Sequence, residues 1–477
     1  MVNRLIQMIL ILLLVFTPVA FGSVDIWAFS LMEIGILLVI LLWALDSAIR
    51  HPHSVFGTPN SELPTIMGLP QWLLLFLFLC LVFLQMIPLP SGFVRFISLK
   101  TYELRQILFA PGLPFEPSAL GFELSFFPFA TGIELFKWLT LTGLFIVLLY
   151  WKGWEKGRPI RSGFVVAIFL VGVFESLYGM FEFFSGHNQI LYLKGLVFSV
   201  TGTFINRNYF AGYLLMVIPL SMGFLFSRDF FQRSHIRSWR YRLSAMDGKT
   251  LLIGFGIIVM ILGLLFSASR MGIASLLFSL GAVSLLLRDP RGRRTFSKKP
   301  MLILVLAVLW GAWIGLDTVM NRFFESSQDF KFRWEMWVDT FRIVRDFPVL
   351  GSGLGTFVQV FPMYQSFHEL GISTHAENDF LQLASEVGWV GVGLLSILFL
   401  SLFYKALSGI RLLSHGEAER VIGIGGLVGM MALMLHSLVE RNIQVPANAF
   451  LYTFIFGMVL RITSSPPTIL GHGRGVR

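Results

Sequence analysis

RWEMWVDTFRIVRDFPVLGSGLGTFVQVFPMYQSFHELGISTHAENDFLQLASE, residues Arg333–Glu386, is the longest polar insertion in a chain that is otherwise nearly all apolar. It holds an arginine beside two tryptophans, a Gly-x-Gly-x-Gly loop (Gly351, Gly353, Gly355), and His375 at the approach to a long apolar run. Thr374-His-Ala-Glu377 has the spacing of a capping box, in which each end side chain satisfies a free backbone N–H. With Thr374 as the cap, His375 is the first helical residue and lies at the positive end of the helix dipole. That position disfavours the imidazolium, so the ring is expected to be neutral near pH 7 and able to accept a proton. Asn378, Asp379, Gln382 and Glu386 follow on or near the same face by i+3/i+4 spacing. A polar stripe entering an apolar helix reads as the lining of a wet cavity or, equally, as the exposed first turn of a membrane helix.

The surroundings of this stretch set the fold class. Of 477 residues 55% are hydrophobic and 13% charged, and apolar runs long enough to cross a bilayer recur throughout. The chain reads as an all-α polytopic membrane protein, a single integral membrane domain over residues 1–477. Met1–Arg4 and the apolar run to about Phe21 resemble a signal peptide, but with so many spans behind them they read as an uncleaved first helix. Further helices are expected around 31–45, 72–87, 132–150, 164–184, 208–227, 251–267, 271–287, 301–317, 380–404, 421–439 and 446–461, roughly twelve spans in all. Cys80 is the only cysteine, which excludes an intrachain disulfide and a cysteine-based metal site.

Charge orients the spans. Most of the 37 lysines and arginines fall in alternate, mostly short connections: Arg50, Lys152–Arg161, Arg228–Lys249, Arg288–Lys299, Lys405–Arg420 and the C-terminal tail. By the positive-inside rule these are cytoplasmic, as are both termini. The net charge of +10 therefore anchors topology at anionic lipid and does not point to nucleic acid. Left outside are about 88–131, 185–207 and 318–379. The first, rich in Pro and Phe, reads as an interfacial lid or re-entrant segment. The third is a large loop with one amphipathic helix, whose apolar face is expected to be Trp334, Trp337, Val338, Phe341 and Val344, opposite Lys331, Glu335, Asp339 and Arg342. Such a helix suits a membrane surface.

Outer arginines are the informative minority. Arg207 precedes a span, Arg270 sits in the shortest outer turn, Arg333 belongs to the large loop and Arg441 to the last outer turn. An arginine in a tight turn amid apolar residues faces protein or an anionic partner, and guanidinium forks match phosphate oxygens. Each alone also reads as an interfacial side chain snorkelling to lipid phosphate. No Asp-x-Asp, His-Glu-x-x-His or Gly-x-x-x-x-Gly-Lys-Ser/Thr occurs, which disfavours a metal-dependent glycosyltransferase, a zinc hydrolase and a nucleotide-driven pump. No metal or other cofactor is expected. The glycine loop reads as an ordinary turn, with an anion-binding nest as the alternative.

TGTFINRNYFAGYLLMVIP, LLFSASRMGIASLL, RWEMW…FPVLGSGLGTF and HAENDFLQLASEVGWVG follow one another in an order that resembles the O-antigen ligase/polymerase family of bacterial inner-membrane proteins. The resemblance covers roughly residues 200–400 and extends to the first third only by hydropathy. It implies a metal-independent glycosyltransferase with a GT-C-like helical fold, its active site on the periplasmic side. The donor would be a glycan on undecaprenyl diphosphate, the acceptor a hydroxyl of lipid A-core or of another glycan. Carried over by motif, Arg270 and Arg333 match the arginines that hold the diphosphate, and His375 matches the essential histidine of the large loop. Asn206 and Asn208 match an asparagine pair before the sixth span, and Arg207 and Asn378 join the expected substrate-binding set. A polysaccharide polymerase or a protein O-oligosaccharyltransferase would share this chemistry. From other classes, a small-anion (bicarbonate-like) transporter or a membrane scaffold remains open, since Glu33, Glu175, Glu182 and His436 lie within expected spans.

Overall fold

The structure is a computed structural model and describes residues 1–50, 66–108, 121–156, 158–187, 189–192, 199–228, 247–287, 299–314, 327–368, 373–413 and 418–464. In chain order the helices are α1 (Val2–Val19), α2 (Ile26–Arg50), α3 (Leu69–Met86), α4 (Ser91–Ile97), α5 (Leu99–Leu108), α6 (Pro128–Tyr150), α7 (Arg158–Ser185) and α8 (Arg207–Phe226). There follow α9 (Gly248–Phe266), α10 (Arg270–Leu286), α11 (Lys299–Ile314), α12 (Ser327–Asp346), α13 (Phe357–Val360), α14 (Asp379–Leu412), α15 (Ala418–His436) and α16 (Pro446–Ser464). The chain is an all-α polytopic membrane protein. Among the described residues ten helices are long and apolar enough to cross a membrane; α10, at 17 residues, and α11, at 16, are shorter. Together these twelve stand at the twelve positions expected from hydropathy. The break between α9 and α10 is a real turn. Ala268 takes a positive φ of 54°, and the Ser269 side chain accepts from Gly272 N to cap α10.

At the centre stands α8, buried along its whole apolar window and flanked by α7, α9, α10, α15 and α16. Its closest neighbour is α15, and the reason lies in Gly425-x-x-x-Gly429. A Cβ on Gly425 would run into the carbonyl of Pro219, and one on Gly429 would lie 2.7 Å from the carbonyl of Met216. Small residues one turn apart let two backbones approach where lipid gives no hydrophobic drive to pack helices. This close pair fixes the height of the turn that follows α15.

Residues 327–368 form a cap on one end of the bundle. The amphipathic helix is present as α12, but its faces differ from those expected. Met336, Thr340, Ile343 and Phe347 point inward with Val344, while Trp334, Val338 and Phe341 are exposed. Asp339, expected on the solvent side, is fully buried, its Oδ2 accepting from Ser366 N (2.7 Å) and Ser366 Oγ (2.9 Å). The helix has apolar residues on two sides, and periodicity alone could not say which one the 357–367 segment would cover. The 88–131 segment, as far as it is described, braces this cap: Phe126 N donates to Ser352 O, and the Phe126 ring packs edge-on against Phe347.

The glycine loop joins the cap to α14. Gly351, Gly353 and Gly355 all have positive φ, as does Gly388, where α14 kinks. Gln85 of α3 donates to Leu350 O (2.6 Å) and Glu386 O (2.9 Å) and accepts from Leu354 N (3.0 Å). The Glu386 carboxylate accepts from Gly355 N (3.0 Å) and Phe357 N (3.3 Å). The loop is therefore a nest whose anion is the protein's own Glu386. That accounts for the polar stripe at this depth of α14 without a substrate contact.

Candidate active site

Four helices begin at the cap end, and one nine-residue turn, 437–445, ties them together. Asp379, first residue of α14, accepts at Oδ2 from Asn442 N and Ile443 N, both at 2.8 Å, and its own N donates to Ser437 O. The start of α8 meets the turn through Tyr209, whose hydroxyl lies 3.4 Å from Arg441 Nη1 and whose carbonyl accepts from Asn448 Nδ2. The start of α10 meets it through buried His436, which lies between Ser269 Oγ (3.4 Å) and Asn442 Nδ2 (3.2 Å). The turn itself leads into α16. Helix N-termini carry roughly half a positive charge each, so four at one end make that end attractive to an anion.

Arginines add to this field. Arg333 on α12 reaches across to the turn, its Nη1 2.5 Å from Val439 O and 2.6 Å from Glu440 Oε1. Burial raises the Glu440 carboxyl, to about 7, against the lowering effects of Arg333 and, more weakly, Arg207. Arg441 stacks on the Tyr209 ring at 5.6 Å from its centroid. Arg270 is exposed at the first position of α10, one residue beyond the Ser269 that contacts His436.

His375 lies beside this field, but not where the capping box put it. Asn378, not Thr374, caps α14: its side chain accepts from Leu381 N, and Glu377 has a positive φ of 48° that breaks any helix running through it. The ring therefore sits in a non-helical approach, gripped at the next residue. Ala376 N donates to Gln382 Oε1 (3.0 Å), and Ala376 O accepts from Trp337 Nε1 (3.1 Å). The imidazole is neutral as expected, for a different reason. Burial first, then the charge of Arg441, push its pKa down to about 2. Gln382 is oriented by Ala376 N and by Glu386 Oε1, so it offers its amide N–H to His375 Nδ1, at 3.5 Å. Nδ1 then carries the lone pair, and this long contact engages it only loosely.

The expected residues thus divide. Arg207, Arg270, Arg333 and His375 belong to one end of the bundle, around the 437–445 turn. Asn206 caps α8, its side chain accepting from Asn208 N at 2.8 Å, and Asn208 is buried behind it. Asn206 and Asn378 thereby have helix-capping roles that the sequence reading did not give them. Glu175 is accounted for as well, its carboxylate holding Thr203 N and Thr203 Oγ1 at 2.7 Å each and so shaping the approach to α8. Missed by sequence reading were Asp379 as the clasp of the turn, the His436 bridge, and Arg441 with Tyr209. The run Ser437-Leu-Val-Glu-Arg-Asn-Ile-Gln444, polar and charged between two spans, was the available signal.

Residues 255–398, from within α9 through the cap to the middle of α14, match the family described as O-Antigen ligase. Over that stretch the chain is similar to the O-antigen ligase family. The similarity supports O-antigen ligase/polymerase-type activity in general, in a multi-pass membrane setting. No curated protein matches the chain. The matched stretch contains Arg270, Arg333 and His375, while Arg207 and the 437–445 turn lie outside it.

Proposed function

We propose that the protein transfers a glycan from undecaprenyl diphosphate to an acceptor hydroxyl at the periplasmic face of the bacterial inner membrane, without a metal ion. The observation that carries this reading is a half-buried imidazole within reach of the Arg441 charge, at the end of the bundle where four helices start and where Arg207, Arg270 and Arg333 also lie. Displacing a polyprenyl diphosphate from an anomeric carbon builds negative charge on the leaving oxygen. Fixed cations and helix N-termini stabilise that charge as it forms, which is the task a divalent ion performs elsewhere. His375 Nδ1 takes the acceptor hydroxyl's proton as the new C–O bond forms, and attack opposite the diphosphate inverts the anomeric centre.

A ring with so low a proton affinity is a weak base, and the bound donor strengthens it. Diphosphate charge beside His375 offsets the effect of Arg441 and raises the ring's affinity for a proton.

The decisive experiment incubates purified protein with a lipid-linked glycan and three acceptors: lipid A-core, a second lipid-linked glycan, and protein. Product is expected on one of them, and the acceptor joined to the glycan's reducing end separates ligase, polymerase and protein transferase. His375→Ala is expected to abolish transfer while the protein still inserts and purifies normally. Full transfer by that variant would refute the role given to His375.

A further inference from the structure

Arg333 and Arg441 approach the same turn and are held in different ways. Arg333 is engaged by the turn itself, through Val439 O and the Glu440 carboxylate. That contact joins α12 to the α15–α16 connection, which is a mechanical task. Arg441 is the next residue along. Among the described residues its contacts are the ring and hydroxyl of Tyr209, no carboxylate lies within ion-pair distance although Asp379 feels its charge, and its Nε is buried without a hydrogen bond. Leaving a guanidinium half-buried without an acid is costly unless an anion completes it.

The backbone that presents Arg441 is held from three sides. Asp379 grips the two following amides, His436 holds the Asn442 side chain, and Gly212 of α8 lies directly beneath that side chain, where a Cβ would not fit. A side chain on so fixed a base, stacked on an aromatic face, loses little freedom when it binds. Its charge also reaches His375, as the ring's depressed proton affinity records.

We propose that Arg441, stacked on Tyr209, is a diphosphate-binding residue of the transfer site, and that Arg333 is a positioning residue that fixes the turn carrying it. This rests on the polyprenyl-diphosphate reading above and adds to it a cation from outside the matched stretch. The ligand class is a terminal or bridging phosphoryl group of a lipid diphosphate. An ordinary anionic phospholipid headgroup offers related chemistry and is the competing source.

The test measures binding of farnesyl diphosphate to the full-length protein in phosphatidylcholine nanodiscs, with phosphatidylglycerol added in a second arm. Arg441→Gln is expected to weaken farnesyl diphosphate binding by roughly ten- to a hundredfold, the range for losing hydrogen bonds to a charged group. Arg441→Lys should fall between the two, because it keeps charge and bulk but loses the fork, and it guards against a folding defect in the Gln variant. Phosphatidylglycerol should not compete. Wild-type affinity in both variants would overturn the assignment and leave the transfer reading intact, provided His375→Ala still abolishes transfer. Full displacement of farnesyl diphosphate by phosphatidylglycerol would also overturn it, identifying an interfacial lipid contact. If the wild-type protein itself binds no lipid diphosphate, the underlying reading fails with it.

Discussion

Asp379→Ala tests whether one carboxylate holds the end of the bundle together. Asp379 is buried, and its Oδ2 alone receives the amides of Asn442 and Ile443 at 2.8 Å each. A hydrogen bond to a charged group contributes about 1.5–3 kcal/mol, so two amount to roughly 3–6 kcal/mol. Burying the carboxylate, whose Oδ1 has no partner, offsets part of this and favours the lower end, about 3 kcal/mol. If the turn opens locally, about 3 kcal/mol corresponds to roughly a hundredfold faster exchange of those two amides. Asparagine keeps an oxygen in the same place and loses only the charge assistance, so Asp379→Asn should accelerate exchange by less than about tenfold. The assay is hydrogen–deuterium exchange of the peptide covering residues 437–445, in detergent micelles, with peptides from α8 and α15 as internal controls. Unchanged protection in the alanine variant would refute the clasp. Equal losses in the two variants would show that the charge, and not the paired geometry, holds the turn. Arg441 precedes the two amides directly, so transfer should fall in parallel with protection.

Further outcomes follow from other contacts. Gln85→Ala removes three hydrogen bonds that join α3 to the glycine loop and the α14 kink, and should lower stability by about 3 kcal/mol, read as an earlier thermal transition of the purified protein. Gly388→Ala puts a side chain at a φ of 62° and against the Val349 carbonyl, so the yield of folded protein should drop sharply. The pH dependence of stability has two opposing parts. His375 is depressed from 6.5, so the unfolded chain takes a proton that the folded one refuses, and this contribution falls as pH drops below about 6.5. Glu440 is raised from 4.5 to about 7, so its contribution falls as pH rises through that window. Between about pH 5 and 6.5 the two oppose each other. Glu440→Gln should therefore unmask a melting temperature that rises with pH, and His375→Gln one that falls; identical profiles in both would contradict these assignments. Transfer should survive EDTA unchanged, and loss restored by a divalent cation would disprove metal independence.

Hydropathy was enough to locate the twelve apolar helices, because a bilayer span needs a run of apolar residues that no other use of the chain requires. Arg270, Arg333 and His375 could be singled out for a related reason: charge or imidazole in an apolar setting demands a partner, and the demand shows in one dimension. The direction of His375's protonation was also legible, but its cause was not. Thr374 and Glu377 have the capping spacing, yet Asn378 competes for the same helix start and wins, and the ring is kept neutral by burial and Arg441.

What the tertiary structure alone decided is which polar groups satisfy one another. The glycine loop, Gln85 and Glu386 form one closed set, although Gln85 lies about 270 positions from the loop it holds. The buried face of α12 was likewise settled by the 357–367 segment and not by helical period. Above all, the 437–445 turn shows in sequence only as a short polar run between two spans, and becomes the meeting point of four helices once Gly425 and Gly429 let α15 lie against α8 at one fixed height. Apolar runs declare themselves residue by residue, since water rejects each one separately. A site made of hydrogen bonds between distant segments exists only once packing has brought those segments together.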